Sequence, residues 1–566
     1  MRTIMPVSVT AALPRARRQG GAPRALLHDP TALALLALVG LAAALRFTRI
    51  GYQGYWFDEG NTVLLVHFSP GQMLGLIPQT ESTPPLYYCV AWVWARLFGF
   101  HEAGVRSLSA VAGTLAIPVL YATAARLGSR RAGLIVAALA ACNPLLVWYS
   151  QEARAYSLLV LMGALSLLAF AYALQRPSPR ALAAWAVAAL LALATHYYAL
   201  LVVVPEALLL LRRARRSRAA WTAVAAVAAG GAALLPYALG QEATGHASWI
   251  ANAPLGRRLG QLLPQFVAGF ALPADAVLEP LALTLAALGV LLALTRARRA
   301  ERRLAALAGA VALGGLGLNL LLIAGGIDDL LTRNLLALWG PAALAAAAGF
   351  AAPRPRLLGI AAAVALCAIG VAGVVQFETN RSLQRPDWRV VARTLERQAP
   401  GSPFAPPTRG AIVPVAVQLR APAGTPNARG GFDSSPAEGA AASGRVGARV
   451  ILIQHYRTLL PLSLYMPHLH FLPPSGATVA EIDIVSFTSP PSSGFCWWGS
   501  ACNLSPSRMQ ASYPIPGFRA VSRTHALQFT ILRLVARRPR LITASVVARA
   551  LQLTTLREDD LLVQRS

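Results

Sequence analysis

A train of apolar runs, each near the length needed to cross a bilayer and separated by short arginine-rich loops, constrains this chain more than anything else in it. About 20 apolar residues cover the ~30 Å hydrocarbon core of a membrane. Runs of roughly that order fall at 31–46, 104–126, 132–149, 156–174, 180–196, 198–211, 220–239, 279–295, 304–325, 334–352 and 357–375. With 56% apolar and only 13% charged residues, the chain reads as a polytopic α-helical membrane protein, not a large soluble one. The 84–99 segment has an apolar core of about a dozen residues, the range of an interfacial helix. It is read as a juxtamembrane helix on the outer face.

The formal net charge of +28 comes with no lysine at all, so every basic side chain but histidine is arginine. Such a charge invites a nucleic-acid partner. Much of it, however, sits in short loops: Arg126/Arg130/Arg131, Arg176/Arg180, Arg212/Arg213/Arg215/Arg216/Arg218, Arg296/Arg298/Arg299/Arg302/Arg303 and Arg354/Arg356. These clusters follow every second apolar run, where arginine marks the cytoplasmic side. No nucleic acid is therefore expected. Eleven spans then alternate consistently in the cell membrane, with a basic cytoplasmic tail over 1–30 and everything after 375 outside. The first run is long enough to remain as an anchor rather than a cleaved signal.

From about Gln376 the pattern changes. Residues 386–395 carry apolar positions at helical spacing, 400–446 is a Pro-, Gly-, Ala- and Ser-rich loop, and 450–453, 482–487 and 529–534 read as strands. A small extracytoplasmic α/β domain over 376–538 fits, with 539–566 left unassigned. Cys496 and Cys502 bracket Trp497-Trp498 with no metal-ligand spacing around them, so a disulfide closing a short loop is expected. Cys89, Cys142 and Cys367 lie in apolar runs as small core residues.

Under this topology the ionisable residues collect on the outer rim. Asp58 and Glu59, in Tyr55-Trp56-Phe57-Asp58-Glu59-Gly60, are adjacent carboxylates at a bilayer edge, costly to keep there without a partner or a role. Their plain alternative is a solvated loop acid. Glu81 precedes Ser82-Thr83-Pro84-Pro85-Leu86-Tyr87-Tyr88, whose prolines end one element and open the next helix. Gln151-Glu152-Ala153-Arg154-Ala155-Tyr156 and Asp329-Leu330-Leu331-Thr332-Arg333-Asn334 each stand at the start of a run, and His196 lies on the same side.

Taken in order, aromatic-Asp58-Glu59, Pro84-Pro85-Leu86-Tyr87-Tyr88, Arg106-Ser107-Leu108-Ser109-Ala110, and Asn143-Pro144 followed by Trp148-Tyr149-Ser150-Gln151-Glu152-Ala153-Arg154-Ala155-Tyr156 form a recognisable series. It resembles the polyprenyl-phosphate-sugar-dependent membrane glycosyltransferases of the GT-C fold, within them the bacterial family 39 and RgtA/B/C/D-like group, relatives of the protein O-mannosyltransferases and of aminoarabinose transferase. Asp387-Trp388-Arg389-Val390-Val391-Ala392 is similar to the helix that opens their extracytoplasmic domain. The chain carries Thr83 where many relatives have histidine, and Asn334 where they often have tyrosine.

The resemblance implies Asp58 as catalytic base, with Glu59 orienting it or pointing into a helix N-terminus. A phosphate ester already leaves well, so such a reaction needs a base for the acceptor hydroxyl and cations for the departing phosphate. One carboxylate then suffices for displacement with inversion, unlike glycoside hydrolysis by a carboxylate pair. Glu152 is the second acid of the catalytic set, for donor or acceptor hydroxyls. Arg154 and Arg333 offer forked donors to phosphate, the alternative being contact with lipid headgroups. Glu81, Tyr156 and His196 complete the expected substrate-binding set, with structural roles open for Glu81 and His196. The expected partners are a polyprenyl-phosphate-linked sugar donor and an envelope lipid, glycan or protein acceptor. No histidine–carboxylate cluster at ligand spacing is seen, and divalent metal dependence stays open. A transporter or flippase, or a non-catalytic assembly factor, are the rival readings. Transporters tend to place charge near the midplane in related halves, and here the acids sit at one rim.

Overall fold

A computed structural model describes residues 29–397 except 246 and, further on, 448–453, 459–466, 468–487, 509–553, 556 and 560–564. All but the last two residues of the expected tail over 1–30, the whole of the 400–446 loop and the Cys496–Cys502 pairing lie outside the described residues.

All eleven apolar runs form helices, but not all are long enough to cross a membrane. Among the described residues seven pass on length and composition: Pro30–Phe47, Glu102–Leu127, Tyr156–Gln175, Arg218–Glu242, Asp275–Thr295, Arg299–Ala324 and Arg356–Thr379. An eighth arises if Arg130–Cys142 and Pro144–Ser150, bent by 59° at their junction, count as one span. The expected count of eleven is thus reduced. Pro179–Thr195 has 17 residues and Leu200–Arg213 has 14, and at ~1.5 Å per residue both fall short of the ~30 Å core. Leu336–Phe350 is likewise a shorter apolar helix, as is Leu86–Phe98, the expected juxtamembrane element.

The bend has a local cause. Asn143 accepts the Leu146 N–H at 3.0 Å as an N-cap, with Pro144 at the first helical position. Its amide also donates to the Phe266 carbonyl at 2.9 Å. Proline at this position removes a donor the preceding helix would need. The break turns the short helix Pro144–Ser150 so that residues 151–155 reach the helix that carries Glu59, whose Oε1 accepts the Ala153 N–H. Elsewhere helices touch backbone to backbone. A Cβ on Gly349 would collide with the carbonyl of Gly289, and one on Gly315 with that of Leu201. Small residues at such crossings gain contact area that bulkier ones prevent.

The C-terminal part is a six-stranded mixed sheet in the order β2-β6-β1-β3-β5-β4. Its strands are β1 Arg449–Ile453, β2 Leu469–Phe471, β3 Ala477–Phe487, β4 Phe518–Ala526, β5 Phe529–Ile542 and β6 Leu561–Gln564. β1 and β3 are parallel, and the other pairings are antiparallel. β1 is buried along its whole length. Alternation sends Ile451 and Ile453 against Trp388, Val391 and Leu395 of the helix Trp388–Arg397, while Val450 and Leu452 pack with Val547 and Leu551 on the far face. That two-sided burial explains its uninterrupted apolar run. The stretch 539–566, unassigned from sequence, completes β5, adds the helix Ala544–Leu551 and supplies β6.

Candidate functional site

Four carboxylates and four arginines, drawn from six separate stretches of chain, meet at one rim of the membrane region as four ion pairs. They differ in depth and tightness.

Glu59 is the most deeply held. It lies in the first turn of the helix Phe57–His67, fully buried. Arg106 grips it with two bonds, Nε to Oε1 at 2.7 Å and Nη2 to Oε2 at 2.6 Å. Glu59 Oε1 also accepts the Ala153 N–H at 2.8 Å, and Oε2 the Trp56 N–H at 3.3 Å. Burial works to raise this carboxyl, but the Arg106 guanidinium overrides it and holds it below the usual range. Of the two readings of Glu59, the contacts match the second: both oxygens are occupied, one by its own helix N-terminus. Expected in the catalytic set, Glu59 has both oxygens engaged by Arg106 and by backbone N–H groups. Arg106 donates besides to the carbonyls of Ile50, Gln53 and Gly54, so one side chain fixes the entire approach to Asp58.

Glu81 and Arg154 form the second pair. Arg154 Nη1 donates to both Glu81 oxygens at 2.8 and 2.7 Å, and to the Asp58 carbonyl at 3.3 Å. Asn61 donates to Glu81 Oε1 at 2.6 Å. The guanidinium expected to grip phosphate is thus already engaged by an acid that is itself buried.

Glu152 pairs with Arg385, a residue that sequence inspection gave no role. Arg385 Nη2 donates to Glu152 Oε2 at 2.9 Å and to the Trp148 carbonyl at 3.2 Å, with its guanidinium 4.0 Å from the Trp148 ring centre. Glu152 Oε1 is buried and, among the described residues, has no hydrogen-bond partner. Burial raises the Glu152 carboxyl above its usual range against the pull of Arg385, and the nearby Glu59 and Asp58 charges push the same way.

Asp58 and Arg333 form the loosest pair. Arg333 Nη1 meets Asp58 Oδ2 at 3.2 Å, with side-chain exposures of 23% and 15%, against 10% or less in the other three pairs. The loop that carries Arg333 is pinned at both ends. Arg258 binds Asp328 through two 2.6 Å bonds, and Asn334 donates to the Asp329 carbonyl at 2.8 Å. Arg333 also lies 5.9 Å from the Tyr156 ring centre. A partly exposed contact sits in a higher dielectric than a buried forked one and is cheaper to exchange.

His196 sits apart from the acids. Its Nδ1 accepts the Tyr198 N–H at 3.2 Å and caps the turn Tyr197–Ala199. Burial, reinforced by Arg154 and Arg333, pushes its pKa down to about 3, so the ring is neutral. Its ring centre lies 5.9 Å from that of Tyr156, which itself packs edge-on against Tyr149 at 4.9 Å. Among the described residues no group of three or more His, Cys, Asp or Glu is arranged to hold a metal. Arg106 and Arg385 escaped assignment because an arginine's partner cannot be read locally. The local signals were that Arg106 opens the stretch 106–110 already singled out and that Arg385 stands two residues before Asp387-Trp388.

Residues 82–238 match the family model described as dolichyl-phosphate-mannose-protein mannosyltransferase. No curated protein matches the chain. Among solved structures, it is similar to ArnT from Cupriavidus metallidurans bound to undecaprenyl phosphate, at 12% identity and TM-score 0.45, covering 88% of this chain and 97% of that one. It is similar to ArnT of the same organism in the apo state at 18% identity and TM-score 0.38, covering 57% and 61%. With an oligosaccharyltransferase of Archaeoglobus fulgidus in complex with zinc and sulfate the figures are 13% and 0.38, covering 65% and 55%. The chain therefore spans less than two thirds of the apo ArnT and oligosaccharyltransferase chains. The matched segment contains Arg106, Glu152, Arg154, Tyr156 and His196, while Asp58, Glu59, Glu81, Arg333 and Arg385 flank it. Over residues 82–238, a little more than a quarter of the chain, the membrane region is thus similar to the dolichyl-phosphate-mannose-protein mannosyltransferase family.

Proposed function

We propose that the chain transfers a sugar, hexose or pentose, from a polyprenyl-phosphate donor to an envelope lipid, glycan or protein acceptor, with inversion. The rim that carries the site faces the outside of the plasma membrane, with the N-terminus and the inter-span arginine clusters in the cytoplasm. The observation that carries this reading is the Asp58–Arg333 pair: a carboxylate and a guanidinium face to face and partly open, beside the three closed pairs Glu59–Arg106, Glu81–Arg154 and Glu152–Arg385.

The chemistry follows from that arrangement. An incoming phosphate competes for Arg333, whose planar fork suits its oxygens. Asp58 Oδ2 is thereby released to accept the proton of an acceptor hydroxyl. The acceptor oxygen forms its bond to the anomeric carbon as the bond to the phosphate oxygen breaks, and the polyprenyl phosphate leaves with the electron pair. Arg333 stabilises the charge that develops there. Glu152 Oε1, buried and without a hydrogen-bond partner among the described residues, accepts a sugar hydroxyl in this reading once the donor opens the site. The 31–375 region forms the transferase unit and the part after 376 an outer domain.

Replacing Asp58 by Asn tests the assignment. Radiolabel transfer from undecaprenyl-phosphate sugars into membranes lacking the native protein should fall to background while the variant still accumulates and binds undecaprenyl phosphate. Unchanged turnover would remove Asp58 from the mechanism. Lipid or ion flux in liposomes, without sugar transfer, would instead support a transporter.

A further inference from the structure

We propose that Arg385 and Tyr465 are positioning residues through which the outer domain sets the geometry of the two reactive carboxylates, an inference that rests on the glycosyltransferase reading above.

Two separate linkages run from the domain to the site. The first ends at Asp58. Tyr465 follows the short helix Leu459–Ser463, which packs on the helix Phe57–His67. Its hydroxyl accepts the Tyr55 N–H at 2.6 Å and donates to Glu102 Oε1 at 2.8 Å. Tyr55 stands three residues before Asp58 in a stretch with no regular structure. Its buried N–H would otherwise lack a partner, and such groups are rarely left unpaired. Arg389 reinforces the same junction, reaching Glu102 at 3.2 Å and the Tyr52 carbonyl.

The second linkage ends at Glu152. The strap between the last span and the sheet is held at the β4–β5 turn, where Gln528 Nε2 donates to the Arg381 carbonyl at 2.7 Å and the Gln384 carbonyl at 3.2 Å. From that strap Arg385 reaches into the membrane region to bind Glu152 and lie over Trp148. It is the counter-charge for a carboxylate buried on all sides, and without it that carboxylate would be strongly disfavoured in its ionised form. The C-terminal part thus reaches Glu152 directly through Arg385 and the backbone leading to Asp58 through Tyr465.

Misplacing a reacting group by about 1 Å can cost ~100-fold in rate. We therefore expect Arg385→Ala to lower turnover by roughly 30- to 100-fold with KM changed by less than about threefold. Arg385→Lys, which restores the charge, should recover most of that loss. Arg385→Ala should also move the acid limb of the pH–rate profile upward, because Glu152 loses the cation that favours its ionised form, whereas Arg385→Lys leaves the limb in place. Hydrogen–deuterium exchange on the full-length protein in nanodiscs gives a readout independent of activity. Tyr465→Phe should speed exchange in residues 52–60 and leave 150–156 unchanged, and Arg385→Ala should do the reverse. That crossed pattern separates positioning from general loosening. The proposal is overturned if neither substitution alters exchange at its own segment, or if each loosens both segments together with the rest of the chain. Should the crossed pattern appear while the native protein moves no label from undecaprenyl-phosphate mannose or arabinose, the linkages stand and the glycosyltransferase reading falls.

Discussion

Asp58 and Arg333, 275 residues apart in sequence, meet at 3.2 Å, and they form the least buried of the four carboxylate–arginine pairs gathered at one rim of the membrane region. Arg333→Ala should lower transfer by about 100-fold or more, the scale seen when a donor to developing charge is removed. It should also weaken binding of undecaprenyl phosphate. Arg333→Lys should restore binding more than turnover, since a point charge holds phosphate without the fork geometry. Titrating undecaprenyl phosphate against each variant, beside the transfer assay, checks both.

Glu59 and Arg106 present the opposite case. Breaking one partner of a buried pair leaves an uncompensated charge and costs about 3–5 kcal/mol. Glu59→Ala should therefore give a protein that melts well below the native one or fails to accumulate. Asp58→Asn, in the exposed pair, should melt within a few degrees of it. Thermal unfolding in detergent compares the two, and equal melting points would remove the distinction between frame and reactive pair.

The raised Glu152 carboxyl gives a signed pH dependence. Below the ordinary glutamate range, the folded and unfolded chains both hold the proton. As pH rises, the unfolded chain releases it first, so stability falls until the pH passes the raised folded-state value. Native protein should show this decline in melting temperature on the alkaline side of the ordinary glutamate value. Glu152→Gln should flatten that part of the curve, whatever it does to absolute stability. A slope that survives the substitution would assign it to another group.

Gly349 sits where the helix Trp339–Phe350 crosses Asp275–Thr295, with no room for a Cβ against the Gly289 carbonyl. Gly349→Leu must separate these backbones. The variant should be degraded or aggregate on detergent extraction, while Gly309→Leu, where a Cβ meets open space, should extract normally. Size-exclusion profiles of the two variants decide it.

The membrane region was legible because its signal is local. Each apolar run announces a helix by composition, and the arginine clusters mark alternate loops, which suffices to bring Asp58, Glu81, Glu152 and Arg333 to one rim. Length limits were less legible: hydropathy does not show where Thr195 gives way to His196 as a helix cap, or that Leu200–Arg213 stops at 14 residues. The strands at 450–453, 482–487 and 529–534 were visible because they are buried on both faces. β6 was not, since four residues in a polar tail acquire a strand's character only from their neighbours. Pairing was the least legible of all. Nothing near Arg385 points to Glu152, 233 residues earlier, and nothing in Arg106-Ser107-Leu108 points to Glu59.

β6 lies between β1 and β2, so residues 561–564 fill an interior slot of the sheet rather than an edge. Until they are synthesised, β1 has an open flank and the two strands that border the slot have nothing to bridge them. By then every helix of the membrane region has already been made and can be inserted. Along the chain the membrane region is thus complete before the sheet is, and a nascent chain short of residue 561 carries Asp58 and Glu152 while β1 still has an open flank.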